Sequence, residues 1–109
     1  MNIATHTQNG IVILEINGRL DAEHAEILKN EFRKLIPANS KFILDLSGMD
    51  YLDSTGLGAI VFCLKSCGEH GGVLKLANLT DKPRIIFEIT RAYKIFDIYD
   101  NLDAALAAM

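Results

Sequence analysis

Residues 45–58 read Asp-Leu-Ser-Gly-Met-Asp-Tyr-Leu-Asp-Ser-Thr-Gly-Leu-Gly and join an apolar strand to an apolar helix. The preceding segment, Lys41–Leu46, has no polar alternation from Phe42 to Leu44, which predicts a buried strand. After the stretch, apolar residues recur at intervals of three and four, which predicts the buried face of a helix from Ser54 to about Cys67: Leu57, Ile60, Val61 and Leu64. Ser54 therefore lies where a strand–loop unit leads into a helix, and we expect function at this junction.

The residue types at the start of this helix allow two interpretations. Asp53 and Ser54 can both cap a helix, because a short side-chain oxygen accepts a free backbone N–H of the first turn. Gly56 and Gly58 each cost roughly 1 kcal/mol relative to alanine in a helix. Two such glycines predict close approach by a neighbouring strand or by a partner protein. The alternative is that Ser54 only caps the helix and that the glycines only serve packing.

Composition narrows the class of protein. Half of the 109 residues are hydrophobic, which is enough for one domain, 1–109, with its own core. The net charge of −3 and the lack of a basic stretch argue against a nucleic acid partner. No apolar run is long enough for direct membrane insertion, and no signal peptide pattern opens the chain. Cys63 and Cys67, four residues apart on a helix, favour free thiols and a cytoplasmic location.

Strand and helix patterns alternate along the chain. The predicted strands are Ile3–Gln8, Gly10–Ile16 (ended by Asn17-Gly18), Lys41–Leu46, Val73–Ala77 and a short one within Ile95–Tyr99. Besides the central helix, the predicted helices are Ala22–Ile36 capped by Asp21, one capped by Thr80 or Asp81 with Ile85, Ile86 and Ile89 buried, and a terminal helix capped by Asp100 or Asn101. This order predicts an α/β fold with a single mixed, mostly parallel β-sheet and about four helices.

Two motifs carry a resemblance to a known family. The turn Gly18-Arg19-Leu20-Asp21 and the run from Met49 to Gly58, with Asp-Ser-Thr-Gly-Leu-Gly at its end, resemble the STAS domain over essentially the whole chain. More closely, the chain resembles the stand-alone bacterial anti-sigma factor antagonists, which are not enzymes and need no cofactor.

The resemblance implies a phosphorylation-controlled partner switch in transcription regulation. In that family an anti-sigma factor that is itself a serine kinase phosphorylates the serine after the aspartate, here Ser54, and a serine phosphatase reverses this. The unphosphorylated antagonist binds the kinase. By motif position the partner-binding residues are Asp21, Asp53, Ser54, Thr55, Gly56, Leu57 and Gly58. A phosphoserine at a helix N-terminus faces unpaired N–H groups and the positive end of the helix dipole, so we expect it to disturb a partner more than the fold.

Helix geometry adds Phe62 to this surface. At about 100° per residue, Phe62 projects away from the centre of the predicted buried face, on the side of Gly58. An aromatic side chain beside small residues suits an interface anchor. The alternative is that the terminal helix or the helix containing Pro83 covers it.

The sequence also allows other functions. A serine hydrolase needs a general base, and the sequence places none of His6, His24 and His70 near Ser54. Asp45, Asp50 and Asp53 could bind magnesium, but turn and cap roles explain them better. STAS domains also serve as non-enzymatic subunits of membrane transport complexes, including ABC-type lipid transporters. The intact Asp53-Ser54 pair favours the antagonist.

Overall fold

The computed structural model describes residues 1–109. Its six strands are β1 (Asn2–Gln8), β2 (Ile11–Leu20), β3 (Lys41–Asp45), β4 (Met49–Leu52), β5 (Val73–Ala77) and β6 (Ile98–Tyr99). Its four α-helices are α1 (Ala25–Leu35), α2 (Ser54–Glu69), α3 (Asp81–Ile89) and α4 (Leu102–Ala107). No helix combines the length and the apolar character needed to span a bilayer.

The strands form one mixed sheet in the order β1-β2-β3-β5-β6. Only β1 runs antiparallel to its neighbour, through a tight turn at Asn9-Gly10 in which both residues have positive φ. Such a turn suits the twist of a two-stranded hairpin. The pairs β2–β3, β3–β5 and β5–β6 are parallel, with helices in the crossovers. The predicted mixed, mostly parallel sheet with four helices is therefore confirmed.

The two faces of the sheet are covered unequally. The larger apolar cluster contains Val12 and Leu14 of β2 together with buried residues of α1, α2 and α3. The alternate residues Ile11 and Ile13 point to the opposite face, where a smaller cluster includes Ala105 of α4. Successive side chains of a strand alternate between the two faces of the sheet. The two clusters therefore show that α1, α2 and α3 cover one face and that α4 covers the other.

The end of β2 departs from the sequence-based prediction. The strand does not end at Asn17-Gly18 but continues to Leu20, because Gly18 adopts φ +89° and a bulge follows it. Beyond the bulge, β2 pairs with β4 in parallel, and Leu20 lies opposite Leu52. Strand β4 was not predicted, because its four residues, Met-Asp-Tyr-Leu, show no regular alternation of apolar and polar side chains.

The predictions for helices α1, α2 and α3 also need correction. Helix α1 begins at Ala25, and Asp21 instead stabilises the turn before it. On α3, Ile85 and Ile89 are exposed and Ile86 is half-buried, because the helix turns its Pro83 and Phe87 side to the core.

The buried face of α2 also differs from the predicted one. It centres on residues with small side chains as well as Leu57 and Ile60, which leaves Val61 and Leu64 only half-buried. The buried set is Gly56, Leu57, Ala59, Ile60, Cys63 and Cys67.

Candidate functional site

The junction singled out in the sequence lies at the carboxyl end of the parallel strands. Strands β2 and β4 end side by side at Leu20 and Leu52, and α2 begins two residues after Leu52. The Asp53 N–H donates to the Leu20 carbonyl at 3.5 Å, which ties the start of α2 to the end of β2. Open parallel sheets commonly place their binding sites at this edge.

Asp53 is the residue that caps α2. It has an extended backbone, and its Oδ1 accepts the Gly56 N–H at 2.8 Å. Its carbonyl accepts the Leu57 N–H at 2.9 Å and so begins the helical hydrogen bonding. Ser54 is the first residue of the helix proper, and both Ser54 and Thr55 are exposed. The cap therefore does not use the Ser54 hydroxyl, which faces solvent at the positive end of a 16-residue helix.

Gly56 and Gly58 have different surroundings. A Cβ atom on Gly56 would clash with the Leu20 carbonyl oxygen, whereas one on Gly58 would meet no atom within 4 Å. The close approach to a neighbouring strand that the glycines predicted is thus present at Gly56. Gly58 is exposed and keeps the adjacent surface of α2 free of side chains.

The Gly18–Asp21 turn lies beside this junction, as β2 leads into it directly from Leu20. The Asp21 carboxylate accepts the backbone N–H groups of Glu23 and His24 and lies 2.7 Å from His24 Nδ1. Desolvation tends to raise the pKa of Asp21, but its hydrogen bond to His24 and the charge of His24 outweigh this, so the pKa lies below its ordinary value. The turn therefore presents a carboxylate that stays ionised near neutral pH.

Arg19 and Tyr51 form a contact that the sequence did not reveal. They are partners in the β2–β4 pairing, and the Arg19 guanidinium lies 3.9 Å from the Tyr51 ring centroid. Arg19 Nε also lies 3.5 Å from Asp21 Oδ2. Only knowledge of the β2–β4 register could have identified this contact, because the two residues are far apart in the chain. The contact places a planar cation over an exposed aromatic ring at the edge of the site.

The side chains proposed for other chemistry have different roles. Asp45 Oδ1 accepts the Ser47 N–H and an Asn78 amide hydrogen, while Asp53 is the cap of α2. The three histidines are directed to other groups: His24 to Asp21, His70 to the Ser66 carbonyl, and His6 towards Glu15.

One cluster of side chains could in principle hold a metal ion. Asp21, Glu23 and His24 each place one ligand atom within 4.8 Å of the others. However, Asp21 Oδ1 already interacts with His24 and with two backbone N–H groups.

The two cysteines belong to the packing of α2. Both are free and buried. Burial raises the pKa of the Cys63 thiol to about 12 and also raises that of Cys67 above its ordinary value. Thiols that remain protonated are poor nucleophiles and poor metal ligands.

Phe62 is half-buried, and two cations of α1 lie over its ring. The Arg33 guanidinium lies 4.7 Å, and the Lys29 ammonium 5.5 Å, from its ring centroid. The ring also packs against the edge of the larger apolar cluster. Its position between α1 and solvent leaves part of the ring accessible to a partner.

Comparisons with known proteins agree with this architecture. The family model described as the STAS domain matches residues 2–105. The Anti-sigma-B factor antagonist of Bacillus subtilis is 31% identical over 98 residues, which cover 90% of each chain. A crystal structure of a protein from Thermotoga maritima superposes with a TM-score of 0.90 at 30% identity and covers 97% of this chain and 92% of that one. A sulfate transporter family protein from Wolinella succinogenes gives a TM-score of 0.81 at 25% identity and covers 94% and 87%.

The chain thus belongs to the STAS domain family, and within it to the anti-sigma factor antagonists. These antagonists are non-enzymatic regulatory proteins, so the family argues against a serine hydrolase.

Proposed function

We propose that this protein is a phosphorylation-controlled partner switch that binds an anti-sigma factor serine kinase when Ser54 is unphosphorylated. The observation that supports the proposal is that Asp53 and Ser54 have separate roles at the start of α2. Asp53 caps the helix, which leaves the exposed Ser54 hydroxyl beside it available for modification. A serine phosphatase acting on phospho-Ser54 would restore the binding form. The free thiols of Cys63 and Cys67 suit a cytoplasmic location.

Electrostatics supports a switch that acts on the partner. A phosphate carries about −1.5 to −2 charges at pH 7. At the first residue of α2 it faces the positive helix terminus, which favours it, and the adjacent Asp53 carboxylate, which opposes it. These effects partly cancel within the fold. A partner packed over the same turn would have to bury the new charge without a matching cation, which is costly.

The proposed contact surface combines two segments. The side chains of Ser54 and Thr55 are exposed, and Gly58 leaves open space one turn further along α2. Gly56 and Leu57 are buried, so their part in partner binding is to set the position of the backbone. Asp21 and Asp53 would supply negative charge on either side of the serine, and Phe62 an apolar contact further along the helix.

Phosphorylation by a candidate anti-sigma kinase tests the proposal. After incubation with kinase and ATP, intact-mass measurement should show one phosphate on the wild type and on Thr55→Ala, and none on Ser54→Ala. Ser54→Ala should still bind the kinase, whereas Ser54→Asp should bind at least about tenfold more weakly, which corresponds to about 1.4 kcal/mol. Equal phosphorylation of Ser54→Ala and wild type would refute the assignment of Ser54.

A second candidate function rests on the similarity to the sulfate transporter family protein. In that case the domain would be a non-enzymatic subunit of a membrane transport complex, and the serine need not be modified. Binding measurements separate the two functions. The antagonist requires saturable binding to a purified serine kinase that Ser54→Asp weakens. A transport subunit would instead bind a membrane transporter, and the wild type, Ser54→Ala and Ser54→Asp should all bind it equally well.

A further inference from the structure

An apolar surface on α3 is not explained by the proposed switch. Ile85 and Ile89, one helical turn apart, are 54% and 73% exposed, and two further exposed apolar side chains, Tyr93 and Ile95, follow the helix. Because Ile85 and Ile89 are neighbours on the helix surface, and clustered exposed apolar side chains mark interaction sites, this surface is a candidate interface. We call it the α3 patch.

The α3 patch has the form of a ridge beside a groove. The ridge consists of Ile85 and Ile89, which lie in one i, i+4 row. The groove has a volume of about 400 Å³ and is lined by Leu79, Arg84, Phe87, Glu88 and Tyr93. In a twofold-symmetric antiparallel pair of helices, the ridge of one copy lies against the ridge of the other, and the groove wall lies against the groove wall. A second copy of the protein can therefore cover the exposed isoleucines of the ridge.

The charged residues of α3 also favour pairing with a second copy of the protein. Arg84 and Glu88 lie one turn apart in the groove wall, yet neither is in an ion pair, and Arg84 donates instead to the Leu79 carbonyl. In an antiparallel pair of α3 helices, Arg84 of each copy lies next to Glu88 of the other. The same arrangement places Ile85 of one copy near Ile89 of the other, across the twofold axis of the pair.

A second charge pair follows from the same symmetry. Antiparallel pairing directs the exposed Arg91 of one copy towards the exposed Asp81 at the start of the other helix. Lys82 and Lys94 stay at the rim, in solvent. An acidic segment of another protein could also bind Arg84 and Arg91, but its negative charges would then lie next to Glu88. A second copy of this protein instead places an arginine beside Glu88.

We propose that the protein forms a twofold-symmetric dimer in which α3 of each copy packs antiparallel against α3 of the other. In such an interface the same residues serve both copies, as the isoleucine ridge and the charges of α3 allow. Helix α3 has only nine residues, so the contact is small and the dimer weak. We expect a dissociation constant between about 10 µM and 1 mM. The proposal is independent of the modification of Ser54.

Sedimentation velocity over a concentration series, up to roughly 1 mM, tests the dimer. The wild type should shift from monomer to dimer. Arg84→Glu and Glu88→Arg should each weaken the dimer about tenfold or more, and the double variant Arg84→Glu/Glu88→Arg should recover most of the affinity, because it reverses both members of each pair.

The matched control is Ile27, another exposed isoleucine, which lies on α1 and is 48% exposed. Ile89→Asp should abolish the dimer, while Ile27→Asp should leave it unchanged. Circular dichroism melting checks that each variant folds, and Ile89→Asp remains informative if the Arg84 variants lose stability. A wild type that stays monomeric throughout would overturn the proposal, as would a dimer that survives Ile89→Asp or is not restored by the charge swap.

Discussion

Gly56 and Gly58 lie in the same helix but have different structural roles. The α2 backbone at Gly56 approaches the Leu20 carbonyl so closely that a Cβ atom would clash with its oxygen. This contact involves backbone on both sides, so neither partner can yield easily. At Gly58 there is open space, and glycine there only lowers helix propensity. Packing therefore requires the first glycine, while nothing in the fold requires the second.

Alanine substitutions should separate these roles. Gly56→Ala should lower the free energy of unfolding by about 3 kcal/mol or more, since the added methyl group overpacks a rigid site. Gly58→Ala should raise it by up to about 1 kcal/mol, because alanine favours the helix. Urea denaturation measures both. If Gly58 belongs to the partner surface, Gly58→Ala should also weaken kinase binding despite its greater stability.

Two results would contradict this account. Equal stability of Gly56→Ala and the wild type would show that α2 can move away from Leu20. Kinase binding unchanged by Gly58→Ala would remove Gly58 from the partner surface while leaving the packing argument intact.

Phe62 lies where α1 and α2 meet, and its side chain is half-buried there. The two helices run in the same direction because each follows a parallel strand, and this brings Lys29 and Arg33 over the Phe62 ring. The ring thus lies beneath two cationic groups while it remains half-buried. The sequence alone placed Phe62 beside Gly58 and gave no sign of α1.

Phe62→Ala should lower the free energy of unfolding by about 1–2 kcal/mol, which combines partial burial with a lost cation–π contact. A fully buried control, Phe32→Ala, should cost about 3–5 kcal/mol. Thermal or urea unfolding distinguishes the two. Kinase binding by folded Phe62→Ala should fall at least tenfold if the ring also anchors the partner. A loss of stability as large as that of Phe32→Ala would place Phe62 in the core and remove it from the proposed surface.

Elements with strong local signals were predicted well, and elements defined by pairing were not. Strand β5 was predicted at its observed bounds, since an apolar run preceded by glycines leaves little choice. Strand β4 has only four residues, and it exists because β2 continues past Gly18 to meet it. On α3, the spacing of Ile85 and Ile89 indicated a buried face, yet the helix buries Pro83 and Phe87 instead.

Across the whole molecule, the alternation of strands and helices was sufficient to predict the architecture. Parallel strands joined by helical crossovers bring the ends of β2 and β4 to one edge, which is how Asp21 comes to lie beside the start of α2. The pairs that complete the candidate site, such as Arg19 with Tyr51, depend on strand register. Register over a bulge is not encoded in local periodicity, so these pairs could not be predicted from the sequence.

The separation of the two sheet faces leads to a further expectation. Helix α4 supplies the residues that cover the smaller cluster, with Ala105 fully buried against Ile13 and Ile43. The candidate site lies at the strand ends, beside the helices of the other face. Damage to the α4 layer should therefore reduce stability while leaving the proposed phosphorylation of Ser54 unchanged in the folded fraction.

Ala105→Asp tests this separation, with Ala107→Asp as the matched control on the same helix. A buried, unpaired carboxylate should lower the free energy of unfolding by at least about 2 kcal/mol, whereas the exposed position 107 should tolerate it within about 0.5 kcal/mol. Urea denaturation measures the difference, and phosphorylation of Ser54 under folding conditions should proceed at the wild-type rate in both variants. Equal stability of the two variants would show that α4 is not needed to cover the sheet. Slower phosphorylation of the folded Ala105→Asp protein would instead show that the α4 layer and the start of α2 are coupled through the sheet.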